Sequence, residues 1–417
     1  MNKTIGIVGA GVAGLQLGLW LRQHDIPATI ITDRTPEDHR GMRLMNTVAH
    51  HHITLQRERE LGIDAWRDDA FHYVCHHHYF GGPQPLNFRG DFTAPSRAVD
   101  YRIYLPELMR LFEERGGTIE YRQIAADDVA GLAGRFDLVV VSTGKGPLGQ
   151  MFEHRPEMSP YDRPQRMLCV GLYSGVAPSE PRGVTLSVSP GQGELIEIPT
   201  LTFDGMATAL LFENIPGGDL EVLAGLSYDE DRQGFLQTVL DKLEQHHPTV
   251  FDRVDASRFD LCGPADLLQG AIVPTVRASL HALDDETWAI ALGDAHVLMD
   301  PVVGQGANMA SHAAQILAEE IIAQDVFDAR FCEIVDARRT DRILSALRWT
   351  NAMLAPPPPI LLELIGTMAG NQALADEFTD NFNYPERQWD HIASPGRIRA
   401  WIDAAQGAEA AQHRQAV

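Results

Sequence analysis

Cysteine is scarce in this chain, and what there is lies scattered. Its four residues, Cys75, Cys169, Cys262 and Cys332, form no Cys-x-x-Cys pair. Neither a zinc knuckle nor a dithiol redox pair is suggested, and reduced, mostly buried thiols are expected. Positive charge is short as well. The 34 Lys and Arg residues face 57 Asp and Glu, a formal net charge of −23. A balance this acidic offers no basic footprint for nucleic acid or for an anionic membrane surface. No apolar run reaches the roughly 18–20 residues of a membrane span. The opening Met1-Asn2-Lys3-Thr4 leads into a strand-like run rather than a secretory leader. A soluble cytoplasmic protein of two or three domains is expected from 417 residues. There is no Gly-x-Ser-x-Gly nucleophile motif and no internal repeat.

What is present is concentrated in two glycine-rich stretches. The first, Gly9-Ala10-Gly11-Val12-Ala13-Gly14, follows the apolar run Thr4-Ile5-Gly6-Ile7-Val8. Gly9 permits the tight turn out of the strand, Gly11 admits a pyrophosphate close to the backbone, and Gly14 lets the helix pack on the sheet. The helix N-terminus then faces the phosphates with free N–H groups. Asp33, nineteen residues after Gly14, stands at the end of a second strand and suits a ribose hydroxyl. Ala13 and Arg34 border the same site. The second stretch is Gly293-Asp294, then Pro301-Val302-Val303-Gly304-Gln305-Gly306-Ala307-Asn308. In FAD proteins that carry this second fingerprint the Asp binds the ribityl chain. Pro301 shapes a turn, and Gly304, Gln305, Gly306, Ala307 and Asn308 open a helix whose N–H groups suit the N1–C2=O edge of a reduced flavin. Together the two stretches describe a chain wrapped around an extended FAD.

Hydrophobic periodicity predicts strands at 4–8, Pro27–Thr32 and Phe136–Ser142 and helices at Val12–His24 and Leu105–Arg115, the pattern of a parallel sheet with crossover helices. From about Arg166 the character becomes antiparallel: Met167–Tyr173, Val184–Ser189, Glu194–Phe203 and Met206–Glu213, with Asp204-Gly205 as a two-residue hairpin turn. A helix is predicted at Gln233–His246, a returning strand at Trp288–Leu292 and a helix at Gly306–Ala323. The rest is mostly helical, interrupted at Pro356–Pro359, with a polar tail from Ala404 expected to fray. The expected fold class is α/β with an α+β substrate layer: a discontinuous Rossmann-type FAD-binding domain (1–70, 98–165, 270–325), a β-sheet substrate domain (71–97, 166–269) and a helical C-terminal region (326–417).

These residues resemble the aromatic-hydroxylase class of flavoprotein monooxygenases, with one difference. Single-component members of that class carry Asp-Gly after the strand equivalent to Phe136–Ser142, and use it for both FAD and NAD(P)H. Here that place reads Ser142-Thr143-Gly144-Lys145, and no second nucleotide fingerprint occurs. The absence fits the two-component styrene and indole monooxygenases. Leu44–His50, Gly81–Pro85, Ala94–Arg102, Gly193–Thr200 and Glu377–Asp390 are similar to the epoxidase component of that family, and the likeness runs nearly end to end, at least to Pro395.

The resemblance implies a homodimeric FAD-dependent epoxidase. It receives diffusible reduced FAD from a separate, transiently bound NADH:flavin reductase. Oxygen (O2) adds at flavin C4a, and the distal oxygen of the hydroperoxide passes to the vinyl group of a small aromatic alkene, giving mainly (S)-styrene oxide. Asn46, Val48, His50, Tyr73, His76 and Ser96 match the styrene-type pattern, with indole the alternative substrate. A flavin-binding protein without oxygenase activity is a further alternative. Asn46, His50 and His76 are the expected catalytic positions, the two histidines through titration near neutral pH or simply as lining. Met45, Val48, Tyr73, Ser96, Leu211, Val302 and Val303 are the expected pocket, and Arg43 is expected beside the flavin or in a structural ion pair. No metal site is expected, because consecutive histidines in a strand alternate faces and cannot converge on one ion.

Overall fold

The computed structural model describes residues 3–46, 49–144, 146–284 and 287–415, with side chains through 408. Two large sheets divide the described residues. The first runs in the order Leu280–Ala282, Trp288–Ala291, Leu138–Val141, Ile5–Val8, Ala28–Thr32, Thr118–Tyr121, all parallel except the first strand. Ile5–Val8 and Leu138–Val141 are fully buried, as continuous apolar runs in the middle of a parallel sheet should be. Helices Val12–Gln23, Tyr101–Glu114 and Gly306–Ala323 close one face with Leu15, Leu19, Leu108, Phe112 and Leu317 in a common core. Helix Tyr101–Glu114 starts earlier than periodicity alone predicts, because Asp100 caps it by accepting from the Arg102 N–H at 2.8 Å.

The second sheet runs in the order Asp260–Leu261, Met167–Ser174, Gly205–Asn214, Gly193–Thr202, Gly183–Ser189, His72–Phe80, Leu86–Val99, Ala49–His50. Its two faces are used differently. Leu195, Leu210 and Phe212 pack under helix Arg232–His246 through Phe235, Val239 and Leu243. Their alternating neighbours Ile196, Ile198 and Leu211 look the other way, toward a cavity. The hairpin between Gly193–Thr202 and Gly205–Asn214 turns at Phe203-Asp204, one residue earlier than expected. Thr202 pairs with Gly205, and Gly205, at φ +105°, begins the returning strand instead of sitting in the turn.

The C-terminal helices bind this sheet to the first. Helix Gln372–Asp380 lies so close to Leu86–Val99 that a Cβ on Gly90 would stand 2.2 Å from the Ala375 carbonyl oxygen. The final helix continues through Pro395–Gln415, past the point where fraying is expected. Among the described residues, no single helix is long and apolar enough to cross a membrane.

Candidate active site

At the first fingerprint, Gly9 holds φ +112°, and a Cβ there would clash with Thr143 Cγ2 at 2.6 Å. A Cβ on Gly14 would meet the Gly9 carbonyl oxygen at 2.2 Å, so the helix can seat only with glycine there. Gly11 is the opposite case: nothing lies within 4 Å of its would-be Cβ. The helix Val12–Gln23 has no side-chain cap and no acidic residue in its first turn. The same holds for Gly306–Ala323 at the second fingerprint, where Gly306 is also open. By contrast, the helices at Pro36, Tyr101, Arg232 and Ala329 are capped by Thr35, Asp100, Asp231 and Asp328. Both fingerprint helix starts therefore leave their first N–H donors and partial positive charge available to an anion. That is the donor set an extended dinucleotide requires, and the residues present fit FAD.

The two fingerprints meet. A Cβ on Gly293, at φ +60°, would stand 3.3 Å from Ala13 Cβ. Gly144 is pressed onto Asp294, with only 2.2 Å to its backbone for a Cβ, and the Asp294 carbonyl accepts from Arg277 at 3.1 Å. The Ser142-Thr143-Gly144 stretch thus packs against both loops. Asp33 and Arg34 are exposed at the end of the second strand, with the Arg34 guanidinium 3.6 Å from Met45 Sδ.

Between the second sheet and the second fingerprint lies a narrow apolar cavity, half open to solvent. Its sheet side is Tyr73, His76, Val184, Leu186, Ile196, Ile198 and Leu211, and its other walls are Ala49, His51, Phe382 and the turn Pro301-Val302-Val303-Gly304. Tyr73, His76, Leu211, Val302 and Val303 are therefore brought together. Ser96 lies behind the wall, fully buried, with its Oγ 3.4 Å from His51 Nδ1. Asn46 is half-buried, and its Oδ1 lacks a protein partner. Val48 lies outside the described residues.

Four of the expected site residues have side-chain partners elsewhere in the protein. His50 is not at the cavity. The two-residue strand Ala49–His50 pairs with Leu86–Val99, and strand alternation turns the His50 ring inward, 2.6 Å from Glu58 Oε1 and 2.9 Å from the Tyr101 hydroxyl. His51, the next residue, takes the place at the cavity. Burial alone would push the Glu58 carboxyl up. His50, Arg97 and Tyr104 outweigh that and hold it below its usual value. Arg43 forms an exposed ion pair with Asp229 at 2.5 Å and donates to the Pro264 carbonyl, so it is the structural pair. Met45 packs against the core of the first sheet rather than lining the cavity. Asn308 is internally saturated. Its Oδ1 accepts from the His51 N–H and Thr54 Oγ1 at 3.1 and 2.7 Å, and its Nδ2 donates to the Ala49 and Gly304 carbonyls at 2.9 and 3.0 Å. Its side chain thereby positions the turn, while its backbone N–H stays in the uncapped first turn of the helix.

The histidine runs diverge, as alternation requires. His76 and His78 are buried, while His77 bonds to the Pro181 carbonyl at 2.8 Å. Burial, with His78, His51 and His77 alongside, holds His76 far below its usual pKa, and burial beside His50 pushes His51 down to about 3. These imidazoles are neutral at pH 7. Burial therefore works against a titration of His76 near neutrality, one of the roles expected for it.

Beside the cavity lies a pair of buried acids that the sequence does not reveal. Glu213 follows Leu211 on the same face of its strand, and Asp300 precedes the Pro301–Gly304 turn and accepts from the Val302 N–H at 3.1 Å. Both carboxyls are held above their ordinary values, chiefly by burial, and Glu213 also by the negative charge of Asp300. Two facing carboxyls with so few other donors are stable when a proton bridges them.

Comparison with known proteins agrees with this architecture. A family model described as "Styrene monooxygenase A putative substrate binding domain" matches residues 144–253. The flavin-dependent brominase Bmp2 is similar in fold, with a TM-score of 0.66 over 97% of this chain and 99% of its own at 15% identity. The flavin-dependent halogenase CmlS has a TM-score of 0.58 over 93% of this chain and 77% of its own, at 16% identity. Styrene monooxygenase StyA of Pseudomonas fluorescens is 53% identical over 97% of this chain and 98% of its own. StyA of a Pseudomonas species is 53% identical over 96% and 98%. On that identity over almost its whole length, the chain belongs to the styrene monooxygenase family.

Proposed function

We propose that this chain is an FAD-dependent monooxygenase that epoxidises styrene to (S)-styrene oxide, using reduced FAD delivered by a separate NADH:flavin reductase. One observation carries the reading: the apolar cavity and the flavin fingerprint share a wall. The Pro301–Gly304 turn lines the cavity on one side and leads into the uncapped helix Gly306–Ala323 on the other. A substrate in the cavity is thereby next to whatever that helix start holds. When bound, reduced FAD supplies the activation of O2. The protein's own work is to bind, orient and keep the site dry.

Gly9, Gly11, Ala13, Gly14, Asp33, Arg34, Gly293, Asp294, Gly304, Gln305, Gly306, Ala307 and Asn308 are assigned to FAD, Asn308 through its backbone while its side chain holds the turn. Val302, Val303, Leu211 and Tyr73 are assigned to the hydrocarbon. Shape orients an uncharged arene here, since the walls are mainly apolar. Asn46 is assigned to the reacting end, and His76 to the lining of the cavity. The sheet containing Ile5–Val8 forms the proposed FAD-binding domain, and the sheet containing Gly193–Thr202 the proposed substrate domain. The working unit is proposed to be a cytoplasmic homodimer that meets its reductase transiently.

The test is free of reductase. Anaerobically reduced FAD is added to the protein, mixed with oxygenated buffer containing styrene, and the product resolved by chiral chromatography. Near-stoichiometric (S)-epoxide is expected. Hydrogen peroxide alone would reject styrene, and indole would then be the substrate to examine.

A further inference from the structure

The cavity is not uniformly apolar. His51 is only 3% exposed and lines it, with Nδ1 directed at Ser96 Oγ and Nε2 without a protein partner. His76, 2% exposed, stands next to it with ring centroids 6.3 Å apart, and its Nδ1 is also unpartnered. Phe382 and Phe92 grip the His76 ring edge-on at 4.5 and 4.7 Å. Val184, Ile196, Ile198 and Leu211 make the sheet wall oily. A buried polar atom left unmade costs about 1–3 kcal/mol, so a pocket that carries two of them side by side is suited to a ligand that satisfies them.

We propose that the His51–His76 corner is a subsite for a neutral hydroxyl on the ring of the aromatic alkene, and that His51 is the residue that selects for it. The inference rests on the monooxygenase reading above and extends its substrate class to hydroxylated vinylarenes. A hydroxyl both donates and accepts, so it matches Nε2 whichever ring nitrogen of His51 carries the proton. A carboxylate or an ammonium does not match. Among the described residues lining the cavity there is no Lys, Arg, Asp or Glu, and burial keeps both imidazoles neutral. The sequence hides this site because His51 sits at a strand-to-helix junction, where its side-chain direction follows from Ala49–His50 pairing with the distant Arg97 and Ala98.

The test compares styrene with the three vinylphenol isomers and the three methylstyrenes of matching shape, using chemically reduced FAD and O2. The wild-type protein is expected to prefer hydroxyl over methyl in kcat/KM for at least one ring position. His51→Phe is expected to lower that preference about 3- to 10-fold, the worth of one buried hydrogen bond. His51→Gln, which retains a polar tip, is expected to restore part of it. Calorimetric titration with the saturated ethylphenols and ethyltoluenes reads the same preference without turnover. A hydroxyl-over-methyl ratio unchanged by His51→Phe in both assays, at every ring position, overturns the subsite. Loss of all epoxide in the wild type, with His51-dependent ethylphenol binding retained, overturns the monooxygenase reading and leaves the subsite standing.

Discussion

At the scale of single residues, the glycines of the first fingerprint separate into two kinds. Gly14 is closed in, with the Gly9 carbonyl oxygen 2.2 Å from a would-be Cβ, whereas Gly11 faces open space. Gly14→Ala is expected to lower stability by about 1–3 kcal/mol through overpacking, read as a drop in urea midpoint without FAD. Gly11→Val is expected to leave that midpoint nearly unchanged and weaken FAD binding at least about tenfold, because the side chain occupies the phosphates' space. Equal effects of the two variants on stability would contradict this division. The Glu213–Asp300 pair carries a second residue-level prediction. A carboxyl whose folded pKa is raised contributes stability that is fully present below its unfolded value, 4.5 for Glu213, and lost as pH rises through the folded pKa. Glu213→Gln should flatten the decline of Tm on the alkaline side of that value. An unchanged slope would mean that no proton is shared there.

At the scale of elements, the start of helix Gly306–Ala323 is held by one side chain. Asn308 ties the helix to the Ala49 and Gly304 carbonyls and to the N–H of His51. Asn308→Ala leaves these groups buried and unpaired, and is expected to cost about 2–4 kcal/mol by equilibrium unfolding. FAD affinity should fall with it, because the turn and helix start both loosen. The same junction shows how far sequence reasoning reaches. Helix Gly306–Ala323 was legible to the residue, since glycine-rich entry and apolar periodicity agree. Asn308 was legible as part of a motif, but not as a strut, because its partners beyond the turn itself come from residues 49–54. Phe382 was not legible as a wall of the cavity at all. It arrives on a turn after helix Gln372–Asp380, which reaches the sheet only because Gly90 lacks a side chain.

At the scale of the whole molecule, buried imidazoles make the fold sensitive to acid. His51, His78, His247 and His312 are each pushed down to about 3, mainly by burial, and His76 and His296 well below their usual value. A base whose folded pKa is depressed contributes stability above its unfolded value of 6.5 that is lost as pH falls through the folded pKa. Stability should therefore decline from about pH 6.5 downward, each histidine adding up to about 1.4 kcal/mol per pH unit. Urea midpoints between pH 7 and pH 5 test this, and His247→Phe, away from the cavity, should reduce the slope. The rate of epoxidation with supplied reduced FAD should show no inflection from His51 or His76 between pH 6 and 8. The missing second nucleotide fingerprint gives one more whole-chain prediction. NADH, FAD and styrene mixed with the purified chain should show no NADH oxidation above the protein-free rate until a flavin reductase is added.

By itself, the sequence determined the parts whose signals are local. A strand, a tight glycine turn and a helix start lie within ten residues of one another. Backbone sterics and helix N–H groups then dictate a phosphate cradle whatever surrounds it. The alternation of Ile196 with Ile198 and of Val184 with Leu186 likewise marks one face of a sheet. Only the tertiary structure decided what those faces meet. It turned His50 inward and His51 toward the cavity, took Arg43 to Asp229, set Glu213 against Asp300, and placed Phe382 opposite Leu211. Each of these depends on pairing between segments far apart in the chain. A shift of one residue in such pairing exchanges one side of a strand for the other.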